Sequence, residues 1–174
     1  MAARPEPQGG LTTEWYTPPH IFDALGVYFD LDPCHPPERL PWIPAAQTYC
    51  HFDDGLSQPW HGRVWLNPPY GRETGPWLER FVEHHDGIAL VFARTETEWF
   101  HRFALAVDAW CLIRGRLTFV RADRSPAEFN AGAPSMLLAV GERNVQAIQD
   151  SDLGITIGVN ETVALGQATI WAAA

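Results

Sequence analysis

Lysine is absent from the 174-residue chain: its twelve basic residues are all arginine, and the formal net charge is -9. Because non-specific affinity for nucleic acid comes mainly from basic side chains that release counterions, this charge argues against a protein that coats phosphate backbones generally. Any contact with nucleic acid must therefore be local. Half of the arginines fall in one stretch, which is either a phosphate-facing edge or an ordinary solvated face: Arg94, Arg102, Arg114, Arg116, Arg121 and Arg124.

Long apolar runs and a cysteine framework are also missing. No stretch approaches the about 20 apolar residues of a membrane span, and residues 1–10 are polar and rich in Pro and Gly, unlike a secretion signal. The three cysteines Cys34, Cys50 and Cys111 lack framework spacing, which favours free thiols in a reducing compartment. We therefore expect a cytoplasmic protein. Its 46% hydrophobic residues predict a single globular domain with a buried core.

Predicted strands and helices alternate along the chain. The strands cover residues 28–32, 63–66, 88–92, 109–113, 117–120 and 136–140, with a further short strand near Tyr49. The helices are a short one capped by Thr17 and ended by Gly26, one over 76–85, and one that begins with a capping box of Thr95 and Glu98. This alternation predicts an α/β fold with a mostly parallel sheet flanked by helices, and a ligand site beyond the carboxyl ends of the strands.

The motif Asn67-Pro68-Pro69-Tyr70 directly follows the strand predicted over 63–66. The Asn67 side-chain oxygen and the Pro68 carbonyl can each accept a hydrogen from one planar amine, which favours a pyramidal nitrogen with an exposed lone pair. The two prolines fix φ and stiffen the loop, and the Tyr70 ring can stack against a base swung out of a helix. A rigid Pro-Pro turn without chemistry is the plainer interpretation of the same residues.

Five motifs occur in order between Thr13 and Val140: W-Y-T-P-P, L-D-P-C, D-D-G-L, W-x-G-x-V-W-x-N-P-P-Y and G-R-L-x-F. In this order they resemble the phage-type DNA adenine-N6 methyltransferases, a Dam-like family. The resemblance implies a compact, Rossmann-like fold that uses S-adenosylmethionine to methylate adenine N6 in DNA after base flipping, in the cytoplasm of a bacterial host. Residues 1–12 would form a flexible tail, 13–141 the methyltransferase domain, and 142–174 an appendage to it, with a closing hairpin or edge segment over 156–171.

The resemblance also implies roles for individual residues. Asn67, Pro68, Pro69 and Tyr70 match the catalytic loop. Residues that match or adjoin the cofactor-binding segments are Trp15, Thr17, Pro18, Asp32, Pro33, Cys34 and either Asp53 or Asp54. Thr17 and Pro18 would cradle the methionyl part, and Asp53 or Asp54 would hold the ribose or the adenine amine. The wider group has a glycine-rich turn after D-P-x-C, where this chain has His35, Pro36 and Pro37, so how the methionyl end is held stays open.

Contacts with DNA are expected from arginines and loops near the strand ends. Arg116 belongs to the G-R-L-x-F motif, and Arg94 follows a predicted strand on the ligand side; Arg121 and Arg124 complete the set. The chain lacks room for a large target-recognition domain, so loops 71–75 and 121–134 would read a short or relaxed DNA site.

Three other hypotheses fit some of these residues. The loop serves any planar amine or amide, so an RNA amine or a protein glutamine is an alternative substrate. The altered turn after Cys34 and the acidic charge would also fit a non-catalytic binding module on a degenerate methyltransferase fold. The pairs Cys34-His35 and Cys50-His51 suggest zinc, but adjacent Cys-His ligands diverge and no C-x-x-C is present, so we expect no metal.

Overall fold

The computed structural model describes residues 16–126 and 131–159 and contains both strands and helices. The strands of this part are β1 (Phe29–Asp32), β2 (Ala45–Thr48), β3 (Val64–Leu66), β4 (Gly87–Phe92), β5 (Ala109–Ile113), β6 (Ser135–Val140) and β7 (Gly154–Gly158). Its helices are α1 (Pro19–Leu25), α2 (Thr74–His84), α3 (Glu98–Phe103) and α4 (Glu142–Asp150). The protein is therefore of the mixed α/β class that the sequence predicts.

All the strands of the described residues join one sheet in the order β2-β1-β3-β4-β6-β5-β7. Strands β1 to β4 pair in parallel, whereas β6 pairs antiparallel with both β4 and β5, and β7 antiparallel with β5. The prediction of a mostly parallel sheet is thus correct for β1 to β4 and wrong for the rest. The reason is the connection from β5 to β6, in which the structure describes no crossover helix of the kind that parallel neighbours require.

Helices cover both faces of the sheet. Apolar residues of α1 and α4 pack on one face: Ile21, Phe22, Leu25, Ala147 and Ile148. Apolar residues of α2 and α3 pack on the other: Trp77, Leu78, Phe81 and Phe103. Because central strands have both faces covered, β4 and β6 are almost entirely apolar and buried rather than alternating.

Two predicted helix caps are wrong. Pro18, not Thr17, precedes α1, because a residue followed by proline avoids the helical region and Pro18 is extended, with ψ 146°. Thr97, not Thr95, caps α3, with its hydroxyl accepting from the backbone N of Phe100. The predicted end of α1 at Gly26 is confirmed, since Gly26 adopts the left-handed φ of 62°.

Residues 117–120, predicted as a strand, are not one: Val120 makes only isolated bridges, with Tyr16 and Pro126. The weakly patterned segment after Gly141 instead contributes α4 and the edge strand β7. Most of the segment 156–171, for which a hairpin was one prediction, lies outside the described residues. Within 16–126 and 131–159, no helix is both long and apolar enough to cross a membrane.

The sheet has a topological switch point at β1. The chain leaves β1 to form β2 on one side and then returns to form β3 on the other. Ligands of open α/β sheets bind in the crevice outside the carboxyl ends at such a point. Asp32 ends β1 and Asn67 follows β3, so both lie at this edge as predicted.

Candidate functional site

A cavity of about 1120 Å³ opens at the carboxyl ends of the strands that flank the switch point. The loops after β1, β2 and β3 supply most of its wall, through residues 33–37, 50–51, 54–56 and 67–70. The rest of the wall is Tyr16, Glu73, Pro76, Trp77, Phe92, Phe119, Ala131 and Gly132. Because small-molecule pockets usually span about 300–1,000 Å³, this one has room for a nucleotide-sized ligand and part of a second.

The predicted catalytic loop, Asn67 to Tyr70, lies entirely in this wall. The Tyr70 hydroxyl donates to Oδ1 of Asn67 (3.1 Å), and the Thr74 hydroxyl donates to the carbonyl of Pro69 (2.8 Å), which ties the loop to α2. Among the described residues, no hydrogen bond reaches the carbonyl of Pro68. An amide oxygen has two lone pairs, so Oδ1 of Asn67 can accept a second hydrogen bond and the Pro68 carbonyl can accept a first.

An aromatic cluster backs the loop. The Tyr70 ring stacks on Phe92, with centroids 3.9 Å apart and planes 10° apart, and Phe119 meets both rings edge-on. Burial raises the pKa of Tyr70, so its hydroxyl remains protonated and able to donate. Phe92 and Phe119 were not predicted as site residues. The available signals were the end of the strand predicted over 88–92 and the last residue of the G-R-L-x-F motif.

Two carboxylates lie in or next to the cavity wall formed by the loops after β1 and β2. Asp32 is only 2% exposed, directly behind the wall residues Pro33 and Cys34, and its Oδ1 accepts from the Cys34 backbone N (3.1 Å). Burial raises the pKa of Asp32 from 3.8 to about 7, against the lowering effect of that hydrogen bond. Of the two aspartates after β2, Asp54 lines the cavity, whereas Asp53 does not and instead accepts from the backbone N of Cys50 (2.8 Å).

The turn after β1 carries a buried histidine that the sequence marks only as a departure from a glycine-rich pattern. His35 is 4% exposed, lines the cavity, and donates from Nδ1 to the carbonyl of Pro36 (2.7 Å). Its pKa is lowered by burial, with a smaller contribution from the charge of Arg39, against the raising effect of the Pro36 hydrogen bond.

Cys34 belongs to the same turn, and its thiol is in the neutral form. Burial, followed by the charges of Asp32 and Glu73, raises the pKa of Cys34, and a protonated thiol is a poor metal ligand. In the described ranges, no group of three or more His, Cys, Asp or Glu side chains is arranged to hold a metal ion.

The segment before α1 contributes one residue to the cavity wall, and it is not one of those predicted. Tyr16 lines the cavity, but the predicted residues Thr17 and Pro18 do not. Thr17 is 1% exposed, and within the described part of the chain its hydroxyl has no hydrogen-bond partner. Trp15 lies outside the described residues.

The predicted basic edge is divided by the fold. Arg94 and Arg102 line a second cavity of about 890 Å³ that shares Tyr70 and Phe92 with the first. Arg94 is half exposed and pairs with Glu96 (3.5 Å). Arg116 donates from Nη1 to the carbonyl of Ala131 (3.0 Å), so it joins two parts of the connection between β5 and β6.

The remaining predicted arginines lie on the loop after Val120. Arg121 and Arg124 are both exposed, and the Arg124 guanidinium lies over the Trp42 ring at 5.3 Å. Residues 127–130 of the loop predicted to read DNA fall in the gap of the described ranges.

The switch point and the loop-lined cavity define an α/β protein with a candidate ligand site at the carboxyl ends of parallel strands. The chain belongs to the DNA N-6-adenine-methyltransferase (Dam) family, whose model matches residues 8–155. This match confirms the resemblance noted from the ordered motifs, and membership implies a DNA adenine N6-methyltransferase. Methyltransferases of this family generally use S-adenosylmethionine. Comparisons with curated proteins and with solved structures gave no match.

Proposed function

We propose that the protein transfers a methyl group from S-adenosylmethionine to N6 of an adenine that is flipped out of DNA into the loop 67–70. One observation carries the proposal. The two available acceptors, Asn67 Oδ1 and the Pro68 carbonyl, belong to a loop in the wall of a cavity that Asp54 also lines, and Asp32 adjoins the same wall through Pro33 and Cys34. A site for an amine and a site for a cationic donor are thus combined in one cavity.

The acceptors address the main chemical difficulty of the reaction. The lone pair of adenine N6 is delocalised into the ring, so the planar amine is a poor nucleophile. Asn67 and Pro68 would each accept one N6 hydrogen and favour a pyramidal nitrogen with a localised lone pair. Pro68 and Pro69 hold the acceptors in place before the base arrives, which avoids an ordering cost during the reaction.

The cavity fits S-adenosylmethionine, which when bound supplies an electrophilic methyl group on a sulfonium cation. The acidic wall suits that cation, and the position of Asp54 suits ribose hydroxyls as hydrogen-bond donors. In this proposal Asp32, Pro33, Cys34 and Asp54 hold the cofactor on a Rossmann-like scaffold, with Thr17 and Pro18 beside them.

The target base requires an open aromatic surface. Because Phe92 covers one face of Tyr70, the flipped adenine stacks on the opposite face, and Phe92 acts as the support of the Tyr70 ring. The exposed side chain of Arg94, next to the second cavity, is the best-placed of the four predicted arginines for a nearby DNA phosphate. Arg116, Arg121 and Arg124 are proposed as further DNA contacts, with loops 71–75 and 121–134 reading a short target.

The test is methyl transfer from labelled S-adenosylmethionine to four substrates: duplex DNA, single-stranded DNA, RNA and a glutamine-containing peptide. The proposal predicts label in N6-methyladenine of DNA. Label that enters RNA or the peptide in preference would assign the loop to the alternative amine or amide substrates. No label on any substrate, with folded protein that binds the cofactor, would leave the binding-module hypothesis.

A further inference from the structure

The turn that joins β1 to the rest of the cavity wall has no backbone donor to offer a ligand. Pro33, Pro36 and Pro37 have no N–H group. The N–H of Cys34 donates to Asp32 Oδ1 (3.1 Å), and that of His35 donates to the carbonyl of Tyr49 (2.8 Å). This turn therefore cannot bind the amino-acid end of a cofactor through backbone amides, as a glycine-rich turn would.

Among the residues that this turn contributes to the wall, His35 alone has a side-chain nitrogen. It is buried to 4% exposure and lines the cavity, so it is a built part of the site rather than a surface group. Its Nδ1 hydrogen is already used, because it is donated to the carbonyl of Pro36 (2.7 Å). In the neutral ring Nε2 is then the acceptor, and the lowered pKa of His35 favours that neutral form.

The charge of the cavity wall indicates whether Nε2 of His35 would contact an ammonium or a carboxylate group of a ligand. Asp54 and Glu73 line the wall, Asp32 lies behind it, and among the residues that the structure describes no arginine lines this cavity. A wall with carboxylates and a neutral imidazole acceptor suits an ammonium group better than a carboxylate.

We propose that Nε2 of His35 accepts a hydrogen bond from the α-ammonium of the methionyl part of the cofactor, in place of the contacts of a glycine-rich turn. This inference rests on the proposed function, since it concerns the same cofactor. His35 is then a cofactor-binding residue. It holds the methionyl end of the cofactor, which the wider group holds with a glycine-rich turn.

Calorimetric binding of three ligands to the full chain tests the inference. S-adenosylhomocysteine carries both the α-ammonium and the α-carboxylate, its decarboxylated analogue carries only the ammonium, and 5'-methylthioadenosine carries neither. For His35→Ala we expect a loss of affinity of about tenfold to a hundredfold for the first two ligands, as for a hydrogen bond to a charged group, and no change for the third. Binding of 5'-methylthioadenosine also shows that the variant is folded.

Two further variants sharpen the result. His35→Gln keeps an acceptor in a similar position and should recover part of the affinity for the two ammonium ligands. His20→Ala removes an exposed histidine that lines neither cavity and should bind all three ligands as the wild type does.

Three outcomes would overturn the inference. These are an equal loss for all three ligands, no loss for any, or a loss for S-adenosylhomocysteine alone, which would assign the contact to the carboxylate. A wild-type protein that binds none of the three would instead reject the proposed function, and the inference with it.

Discussion

The hydroxyl of Tyr70 donates a hydrogen bond to Oδ1 of Asn67 (3.1 Å), so the last residue of the loop orients the side chain of the first. A donor at this position requires that the amide oxygen, rather than the NH₂ group, face Tyr70. The second lone pair of that oxygen remains for a ligand amine. Because burial raises the pKa of Tyr70, this orientation persists across the neutral pH range. Tyr70 is therefore a positioning residue as well as a stacking surface.

Tyr70→Phe should separate these two roles. The variant keeps the ring that stacks on Phe92 but loses the hydrogen bond to Asn67. We expect kcat for DNA methylation to fall about fivefold to tenfold, as for the loss of one hydrogen bond of about 1 kcal/mol, with KM for the cofactor unchanged. Tyr70→Ala should cost more, because stacking is lost too. A wild-type kcat in Tyr70→Phe would show that the hydrogen bond has no positioning role.

Asp32 should make stability depend on pH in a defined direction. Its pKa in the folded protein, about 7, is above the ordinary value of 3.8, so the folded state holds the proton more tightly than the unfolded chain. The contribution of this group is thus fully present below about pH 4 and is lost as pH rises towards 7, by at most about 4 kcal/mol. Denaturant unfolding of Asp32→Asn should show its stability relative to the wild type rising between pH 4 and pH 7 and levelling off above pH 7.

The control for that measurement is Asp23→Asn, which alters an exposed aspartate of α1. This variant removes a carboxyl without altering the turn after β1, so it should not reproduce the pH-dependent change that Asp32→Asn shows. If Asp32→Asn kept a constant difference from the wild type, the buried carboxyl would not be the group that titrates.

Gly55 should tolerate no side chain. A Cβ there would collide with the carbonyl oxygen of Pro33 and come within 3.2 Å of the Trp77 ring, so the loop after β2 packs directly on the turn after β1. We expect Gly55→Ala to lose about 1–3 kcal/mol of stability and to weaken binding of S-adenosylhomocysteine, because two walls of the cavity are pushed apart. Thermal unfolding and calorimetry measure both effects.

Gly132→Ala is the matched control for Gly55→Ala. Gly132 lines the same cavity, but an added Cβ would have no atom of the described residues within 4 Å. Its melting temperature should match that of the wild type. Equal melting temperatures for both variants would mean that the approach of Gly55 to Pro33 is not a tight contact.

Arg94 should contribute to DNA affinity through a phosphate. For Arg94→Ala we expect weaker DNA binding at low salt and a salt dependence whose slope is reduced by about one. Arg143→Ala is the control, because Arg143 pairs with Asp86 next to the amino end of β4 and neither residue lines either cavity, so it should leave the slope unchanged. The same salt dependence of DNA affinity in the wild type, Arg94→Ala and Arg143→Ala would show that Arg94 does not contact a DNA phosphate.

Local patterns in the sequence were sufficient for much of the fold. Apolar runs predicted β5 with its observed bounds and β4 within one residue, and Gly26 ended α1 as expected. Strand direction was not predictable in the same way, because it depends on which distant strands become neighbours. Helix α4 was missed because only Val145, Ala147 and Ile148 give its nine residues an apolar face.

The candidate site likewise has one part that local sequence patterns predict and another part that they do not. The loop 67–70 and the strand end at Asp32 are contiguous motifs, so the sequence predicted them and their common edge of the sheet. The stacking of Phe92 on Tyr70 and the choice of Asp54 over Asp53 for the cavity wall depend on tertiary packing. No local pattern carries that information.

The most direct test of the account replaces the first acceptor of the loop. In single-turnover methylation of DNA, Asn67→Ala should lower the rate by about a hundredfold or more, as for the loss of a preorganised group at the reacting centre, while the affinity for S-adenosylhomocysteine stays within twofold. Asn67→Asp keeps an acceptor oxygen and should retain much of the rate. An Asn67→Ala protein that methylates DNA at the wild-type rate would contradict the account.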